Sequence, residues 1–174
     1  EEVAQVLATF NAILNLSRVR STGEEHLQKL NISELCADVA ALFEPACEEA
    51  GLSFKAMIKP DLHAKADQAL LAQALSNLID NAIKYTPRGG AIALDVDATS
   101  SDILIAVSDT GPGIPENDRR RVKDRFVRLD DARTQAGSGL GLALVEAVAN
   151  LHGGQLDLGE SALEGSGLKA SLTL

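Results

Sequence analysis

The sequence predicts an α+β two-layer sandwich, in which one mixed β-sheet is covered on one face by helices and an amphipathic helix precedes the sheet. Helical and strand-like patterns are intermixed, without the regular strand–helix alternation of a parallel sheet. Residues 92–98 and 102–108 are strand patterns separated by a short polar turn, as in a hairpin. Apolar residues make up 45% of the 174 residues and aromatic residues only 3%, so the core must consist mainly of Leu, Ile, Val and Ala.

The first 26 residues predict a helix followed by a polar hinge. Val3, Val6, Phe10 and Ile13 lie three or four residues apart and form a wide apolar stripe, which ends at residues 20–23, Arg-Ser-Thr-Gly. A lone helix cannot bury such a stripe, so we expect a partner helix, with a second chain as one possible source. The alternative is that the helix folds back on its own domain.

Residues 30–66 predict a strand, a helix and two more strands. Residues 30–32 form the first strand, and Ser33 caps a helix that runs to about residue 50. Pro45 should kink this helix, and Gly51 is its predicted C-cap. Residues 52–59 and 62–66 are the next strands, with Pro60 ending the first.

The second half of the chain predicts two further helices and the rest of the sheet. Asp67 begins a helix that stops before Thr86 and Pro87, while residues 115–136 are charged and irregular. Residues 138–151 form a helix closed by two glycines, and residues 155–159 and 168–174 complete the sheet.

Composition excludes several classes of function. The net charge of −9 argues against general nucleic-acid binding, which needs a basic surface. The sequence contains no apolar run of membrane-spanning length, so we expect no membrane contact. The first residue is Glu and not Met, so we expect a fragment. We expect this fragment to be cytoplasmic, whether or not its parent protein is anchored to a membrane. Cys36 and Cys47 are expected to be small core thiols in a reducing compartment.

Three polar segments carry the chemistry, and the first surrounds Asn77 and Asn81. These asparagines are four residues apart on a predicted helix and share one face, with Lys84 following on the same side. An amide oxygen is a suitable ligand for Mg²⁺, and a lysine supplies a point charge for phosphate. Paired asparagines can also be a cap or a solvated face, although Asn is a poor helix former.

The second segment is Asp109-Thr110-Gly111-Pro112-Gly113, which follows an apolar strand. A carboxylate buried at a strand end can accept a hydrogen bond from the exocyclic amine of adenine, which would discriminate against guanine. Gly111 and Gly113 let the backbone approach the base closely, and Ile114 can pack on the ring. Taken alone, the segment favours an ordinary Asp-Thr-Gly turn; beside the other two polar segments it favours the adenine contact.

The third segment is Gly137-Ser138-Gly139-Leu140-Gly141-Leu142, at the start of a predicted helix. Backbone N–H groups at a helix N-terminus favour phosphate, and the helix dipole adds to this preference. No Gly-Lys-Ser/Thr follows, so the segment is not a P-loop. Leu140 and Leu142 are expected to pack beneath the loop.

In this order and at these separations, the three segments resemble the ATP-binding catalytic domain of a sensor histidine kinase, in the GHKL ATPase superfamily with its Bergerat-type fold. Phe126-Val127-Arg128 resembles the phenylalanine box of that family, and Leu151-His152-Gly153-Gly154 resembles the usual helix end. The resemblance covers residues 27–174. Residues 1–26 resemble the C-terminal part of the dimerisation and phosphoacceptor helix, which implies a homodimer in the intact protein.

The resemblance implies a cofactor pair of ATP and Mg²⁺. It implies that Asn81 binds the Mg²⁺ and that Asn77 and Lys84 assist at the phosphates. The remaining implied nucleotide contacts are Tyr85, Asp109, Gly111, Gly113, Ile114, Phe126, Arg128, Gly137, Ser138, Gly139, Leu140, Gly141 and Leu142.

Residues 115–136 resemble the ATP lid and hold seven of the sixteen Lys and Arg residues. Arg128 is the expected phosphate contact, with Arg125 and Arg133 as weaker candidates. Phe126 is expected to anchor the closed lid. Lys123 departs from the family pattern, which often has a second phenylalanine there, so we expect looser docking of the lid.

Asn77 bears on the type of reaction. In the gyrase-like branch of the superfamily the equivalent residue is a glutamate that activates water, whereas Asn cannot act as a general base. Asn77 therefore favours phosphoryl transfer to a histidine, and from there to an aspartate of a response-regulator receiver domain. The alternatives are a GHKL-type ATPase, or a degenerate kinase used as a scaffold or phosphotransfer module.

None of the three histidines lies in a sequence that resembles the phosphoacceptor box. His26 lacks the adjacent acidic residue and the proline, His63 lies in a predicted strand, and His152 ends a helix. The kinase hypothesis therefore requires an acceptor histidine on a helix upstream of residue 1.

Overall fold

The computed structural model describes residues 27–99, 101–127, 139–163 and 165–174, together with residues 10, 13, 14, 17 and 19. The predictions for Arg128, Arg133, Gly137 and Ser138, for His26 and for most of the N-terminal helix and its hinge lie outside these residues. The described strands are β1 (Gln28–Asn31), β2 (Ser53–Ile58), β3 (His63–Ala66), β4 (Ala91–Ala98), β5 (Ile103–Asp109), β6 (Leu156–Glu160) and β7 (Leu168–Thr173). The helices are α1 (Ile32–Ala50), α2 (Gln68–Tyr85), α3 (Glu116–Arg119) and α4 (Gly141–Leu151), with a 3₁₀ turn at Arg121–Lys123.

The main sheet has five strands in the order β2-β4-β5-β7-β6. β2 runs parallel to β4, and the remaining pairs are antiparallel, so the predicted mixed sheet is confirmed. The predicted hairpin is present, with Ile92 opposite Asp109 and Ala98 opposite Ile103. The prediction of a single sheet is wrong in one respect, because β1 pairs with β3 in a separate two-stranded sheet.

The core lies between the main sheet and helices α1, α2 and α4. Alternate residues of β4, namely Ile92, Leu94 and Val96, are buried in this core, as the two-residue period of a strand requires. The predicted aliphatic core is confirmed, since the largest fully buried side chains of the described residues are all Leu or Ile. The layers place the end of β5 near the end of α2, and α4 beside α2.

The start of α1 corrects one predicted cap. Asn31 is the N-cap, and its side chain accepts a hydrogen bond from the N–H of Glu34 at 3.2 Å. Ser33 instead donates to the Lys59 carbonyl at 2.6 Å and accepts from the Leu62 N–H at 3.0 Å. Its hydroxyl therefore satisfies backbone groups between β2 and β3, and it does not cap the helix.

The other boundaries follow the sequence pattern closely. α1 contains Pro45 and ends at Gly51, whose φ of 71° is the predicted left-handed C-cap; a kink at Pro45 stays a prediction. Asp67 caps α2 by accepting from the Leu70 N–H at 3.0 Å. α4 begins at Gly141, three residues later than predicted. Short helical turns occupy part of 115–127, where irregular chain was predicted.

The described residues of the N-terminal segment are helical. Phe10, Ile13 and Leu14 have 57%, 46% and 49% of their surface exposed, whereas Val19 is 4% exposed and belongs to the core of the domain. The boundary near residue 26 and the dimer stay predictions. Within the described part of the chain, no helix combines the length and apolar character needed to cross a bilayer.

Candidate functional site

The asparagines of α2 lie against the first residue of α4. Both are half-buried, and a Cβ atom built on Gly141 would lie 3.5 Å from Asn77 Oδ1 and 3.6 Å from Asn81 Nδ2. The cap residue of α4, Leu140, is apolar and supplies no side-chain acceptor for the first N–H groups of the helix. The structure thus brings the first and third polar segments together at a helix N-terminus.

The two amides differ in their hydrogen bonding. Asn77 Nδ2 donates to the Gln73 carbonyl one turn earlier at 3.0 Å, which leaves Oδ1 on the side of Gly141. The Asn81 side chain forms no hydrogen bond with any residue that the structure describes. A half-buried amide normally has a partner, because leaving it unpaired has a desolvation cost. Asn81 therefore has an oxygen available for a ligand.

Lys84 and Tyr85 lie together at the C-terminal end of α2. The Lys84 ammonium is 4.8 Å from the centre of the Tyr85 ring, which is a cation–π distance. Both side chains are half-buried. The two side chains thus pack against each other at the end of α2 that meets the Asp109 turn, and their contacts with a nucleotide stay predictions.

Asp109 is a buried carboxylate at the end of β5, with 6% of its surface exposed. Its Oδ1 accepts hydrogen bonds from the N–H groups of Gly111 at 2.8 Å and Leu168 at 3.2 Å. Burial raises the pKa of this carboxyl, and the two N–H groups act in the opposite direction. Among the described residues, Oδ2 has no hydrogen-bond partner, so one oxygen stays open to a donor from outside.

Glycine is required in the turn after Asp109. A Cβ at Gly111 would lie 2.8 Å from the Tyr85 carbonyl oxygen, so this turn packs directly on the end of α2. Gly113 has a φ of 70°, and a Cβ there would approach the Ser166 carbonyl to 2.3 Å. Ile114 follows half-buried, and its carbonyl accepts from Arg119 Nε at 3.0 Å.

Leu168 contributes a hydrogen bond to Asp109 that was not predicted from the sequence. It acts through its backbone N–H, so its side chain carries no signal of the contact with Asp109. The neighbouring Gly167 is the signal that could have been used. A Cβ at that position would lie 1.7 Å from the Asp109 carbonyl oxygen, so only glycine fits.

The described part of the lid reaches the third segment through the backbone. The Phe126 N–H donates to the Gly139 carbonyl at 3.0 Å, and Gly139 has a φ of 68°. Phe126 itself has a φ of 63° and 60% of its surface exposed, so its ring is not packed in the core here. Arg125 is exposed. Its proposed role and that of Phe126 stay predictions.

The two leucines of the third segment differ in depth. Leu140 is 1% exposed and belongs to the core, whereas Leu142 is half-buried and packs against it. They link the start of α4 to the interior of the domain, as expected for residues that pack beneath the loop.

The chemistry of the donor set limits the metals that could bind. The described residues contain no group of three or more His, Cys, Asp or Glu side chains that could hold an ion. Asn81 offers one oxygen, and Mg²⁺ characteristically takes one or two protein oxygens together with phosphates and water. The site therefore fits a magnesium ion that arrives with a nucleotide.

The described histidines lie outside this site. His63 is exposed on β3, with Nδ1 3.5 Å from the carboxylate of Asp61. His152 follows α4 and contacts the backbone of Asp67, at the opposite end of α2 from Tyr85.

Comparison with known proteins identifies the class that this fold and site define. The model of the family described as histidine kinase-, DNA gyrase B- and HSP90-like ATPase matches residues 66–174. The chain belongs to this family, as a catalytic ATP-binding domain of the sensor histidine kinase type.

Particular relatives support this assignment. The sensor histidine kinase WalK of Bacillus subtilis (strain 168) is 34% identical over 181 residues, which cover 99% of this chain and 29% of WalK. The adaptive-response sensory kinase SasA of Synechococcus sp. (strain JA-2-3B'a(2-13)) is 41% identical over 140 residues, 79% of this chain and 37% of SasA. The structure of full-length ShkA in complex with AMPPNP is similar with a TM-score of 0.81 and 29% identity, over 99% of this chain and 36% of that one. The chain thus spans about a third of the length of these relatives.

Proposed function

We propose that this chain binds ATP together with Mg²⁺ and presents the γ-phosphoryl group to a histidine outside residues 1–174. From that histidine the group would pass to an aspartate of a response-regulator receiver domain. The observation that carries the nucleotide proposal is Asp109, a buried carboxylate with one oxygen held by two backbone N–H groups and the other open. The open oxygen of this buried carboxylate can accept from the amine of adenine. A base without that amine would leave the oxygen desolvated and unpaired, which would lower its binding affinity.

The phosphates are proposed to lie between α2 and the start of α4. The N-terminus of α4 favours anions through its dipole, and the two asparagines border it. The Mg²⁺ would be held by Asn81 and by phosphate oxygens, and its charge would offset that of the triphosphate. The similarity to full-length ShkA, which was solved in complex with AMPPNP, supports a triphosphate in this fold.

Transfer is favoured over hydrolysis because of Asn77. Its Nδ2 is engaged by the Gln73 carbonyl, and an amide oxygen cannot take a proton from water at neutral pH. Phosphoryl transfer needs mainly positioning and charge neutralisation, which amides, backbone N–H groups and a lysine can supply. The names of the relatives, sensor histidine kinase and sensory kinase, agree with this reaction.

The other partners follow from the same proposal. The acceptor histidine would lie on the helix to which residues 1–26 belong, and that helix would form a homodimer in the intact protein. The exposed Phe10, Ile13 and Leu14 are apolar side chains suited to such a contact.

The test is calorimetric titration with AMPPNP, with and without Mg²⁺, of the wild-type chain and of Asn81→Ala. We expect Mg²⁺-dependent binding that is weakened in Asn81→Ala and unchanged in the control Asn150→Ala, an exposed asparagine at the end of α4. A folded wild-type chain that binds no AMPPNP would overturn the proposal. With γ-labelled ATP the isolated chain should stay unlabelled, and label should appear on the upstream helix once that helix is added.

A further inference from the structure

Residues 121–127, the end of the described chain that follows the Asp109 turn, are fixed to the body of the domain by Lys123. Its ammonium lies 3.2 Å from Glu146 Oε1 on α4 and also donates to the Leu156 carbonyl at the start of β6. Lys123 closes the 3₁₀ turn that begins at Arg121, and Val122 beside it is buried. A residue of the charged segment thus reaches both layers of the sandwich.

This ion pair is better shielded than the others in the described residues. Side-chain exposure is 19% for Lys123 and 35% for Glu146, against 60% and 30% for Arg121 and Asp118, and 52% and 70% for Lys59 and Asp97. Exposed pairs contribute little because water and salt screen them. The Lys123 ammonium is shielded and also donates to a carbonyl, so its position is fixed by two contacts. Removing either Lys123 or Glu146 would leave the remaining charge poorly solvated.

The anchored position is linked to the proposed phosphate site along two short paths. Glu146 lies on α4, whose first residue, Gly141, faces Asn77 and Asn81. Three residues after Lys123, the Phe126 N–H donates to the Gly139 carbonyl, just before α4. The chain from Lys123 to Phe126 is therefore attached at one end to α4 and at the other to Gly139, two residues before α4 begins.

From this geometry we infer that Lys123 is a positioning residue for the triphosphate. It holds residues 121–127, the described end of the segment that resembles the lid, against α4 and beside the place where the phosphates are proposed to lie. The inference rests on the proposed function, because it assumes that the phosphates lie at the start of α4. Arg119 adds a second attachment, with Nη2 3.6 Å from Glu160 and Nε on the Ile114 carbonyl, but Glu160 is 86% exposed and this pair is more screened.

The test compares two ligands in three variants, Lys123→Met, Glu146→Gln and both changes together. AMPPNP carries the phosphates and adenosine does not, so a positioning role affects the first ligand selectively. We expect Lys123→Met to weaken AMPPNP by about fivefold or more, the lower end of coupling between two sites, with adenosine affinity unchanged. Glu146→Gln should act in the same direction, and the double variant should lose no more than the larger single change.

Arg121→Met is the matched control. It removes the same charge two residues away, but its ion-pair partner, Asp118, lies in the same local segment. We expect it to bind both ligands as the wild type does. AMPPNP binding by Lys123→Met that equals that of Arg121→Met, or an equal loss for both ligands, would overturn the positioning role while the proposed function stands. A folded wild-type chain that binds neither ligand would overturn both.

Discussion

His152 Nε2 accepts a hydrogen bond from the backbone N–H of Asp67 at 3.0 Å, and its Nδ1 lies 2.7 Å from the Val148 carbonyl. Because Nε2 accepts, the ring is the neutral tautomer with its proton on Nδ1, which donates to that carbonyl. Asp67 is the N-cap of α2, and His152 follows the last residue of α4. One imidazole thus joins the end of α4 to the start of α2, the two helices that border the proposed phosphate site.

Replacing His152 should loosen this junction. In His152→Ala the Asp67 N–H loses its acceptor, while the Val148 carbonyl loses the imidazole and keeps the backbone N–H of residue 152, so we expect the free energy of unfolding to fall by about 1–3 kcal/mol. Chemical denaturation measures the loss. His63→Ala is the control, because the His63 side chain is exposed and its polar contacts among the described residues are with Asp61. Equal stabilities of the two variants would contradict a structural role for His152.

Asp109→Asn should separate nucleotide recognition from stability. Asn can keep Oδ1 on the N–H groups of Gly111 and Leu168, which puts its NH₂ where Oδ2 was. That group would face the adenine amine as a second donor, so AMPPNP affinity should fall by about tenfold or more, as for a lost hydrogen bond to a charged group. Calorimetry measures the affinity. Unchanged affinity would show that adenine does not contact Asp109.

The same variant should change how stability depends on pH. Burial raises the pKa of Asp109, so the native state binds this proton more tightly than the unfolded chain does. The contribution of this group to stability is therefore greatest below the ordinary carboxyl pKa of 3.8 and falls as the pH rises through the raised native pKa. Asn does not titrate, so the stability of Asp109→Asn relative to wild type should increase from acidic to neutral pH. Denaturation curves across that range measure this difference, and a constant difference would contradict the prediction.

Gly141→Ala should weaken phosphate binding without harming the fold. The added methyl group would make ordinary contacts of 3.5 and 3.6 Å with the amides of Asn77 and Asn81. Ala is the better helix former by about 0.5–1 kcal/mol, so stability should be unchanged or higher. The methyl group would also occupy the space where the phosphates are proposed to lie, and AMPPNP affinity should fall.

Gly159→Ala is the matched control for that change. A Cβ at Gly159 would meet nothing within 4 Å, and the residue lies in β6. Its AMPPNP affinity should equal that of the wild type. If Gly141→Ala also bound AMPPNP normally, the phosphates would have to lie elsewhere.

The Thr86 hydroxyl is the one side-chain polar atom in the described residues that is fully buried and has no hydrogen-bond partner. The residue is 7% exposed and ends α2 beside the Asp109 turn. Thr86→Val keeps the shape and removes the unpaired hydroxyl, so the free energy of unfolding should stay constant or rise by about 1 kcal/mol. Thermal denaturation measures it. A clear loss of stability would mean that the hydroxyl has a buried water as partner.

Most of the element order could be predicted from the sequence, because the signals are local. Asp67 as a cap, Gly51 with a left-handed φ and the alternation of residues 92–98 each depend on a few neighbouring residues. The prediction of Ser33 as a cap is wrong because its hydroxyl bonds to the backbone of Lys59 and Leu62, which are 26 and 29 positions further along the chain. The pairing of β1 with β3 was missed for the same reason, since it joins segments that are distant in sequence.

The candidate site shows the same division. Asn77, Asn81, Asp109 and the glycines carry motifs that the sequence displays, and these were enough to indicate the family and the nucleotide. The contacts of Asp109 with the Leu168 N–H, of His152 with the Asp67 N–H and of Lys123 with the Leu156 carbonyl involve backbone atoms, which no residue type marks.

The sequence by itself determined the helices, the strands, the aliphatic core and the polar segments, because each follows from the side chains of a short stretch. Only the tertiary structure decided which of these segments meet. It set the start of α4 against two asparagines of α2, left one oxygen of Asp109 open and gave Lys123 a shielded partner. These outcomes depend on how the layers pack, and packing distances between remote segments are fixed only when the whole chain is folded.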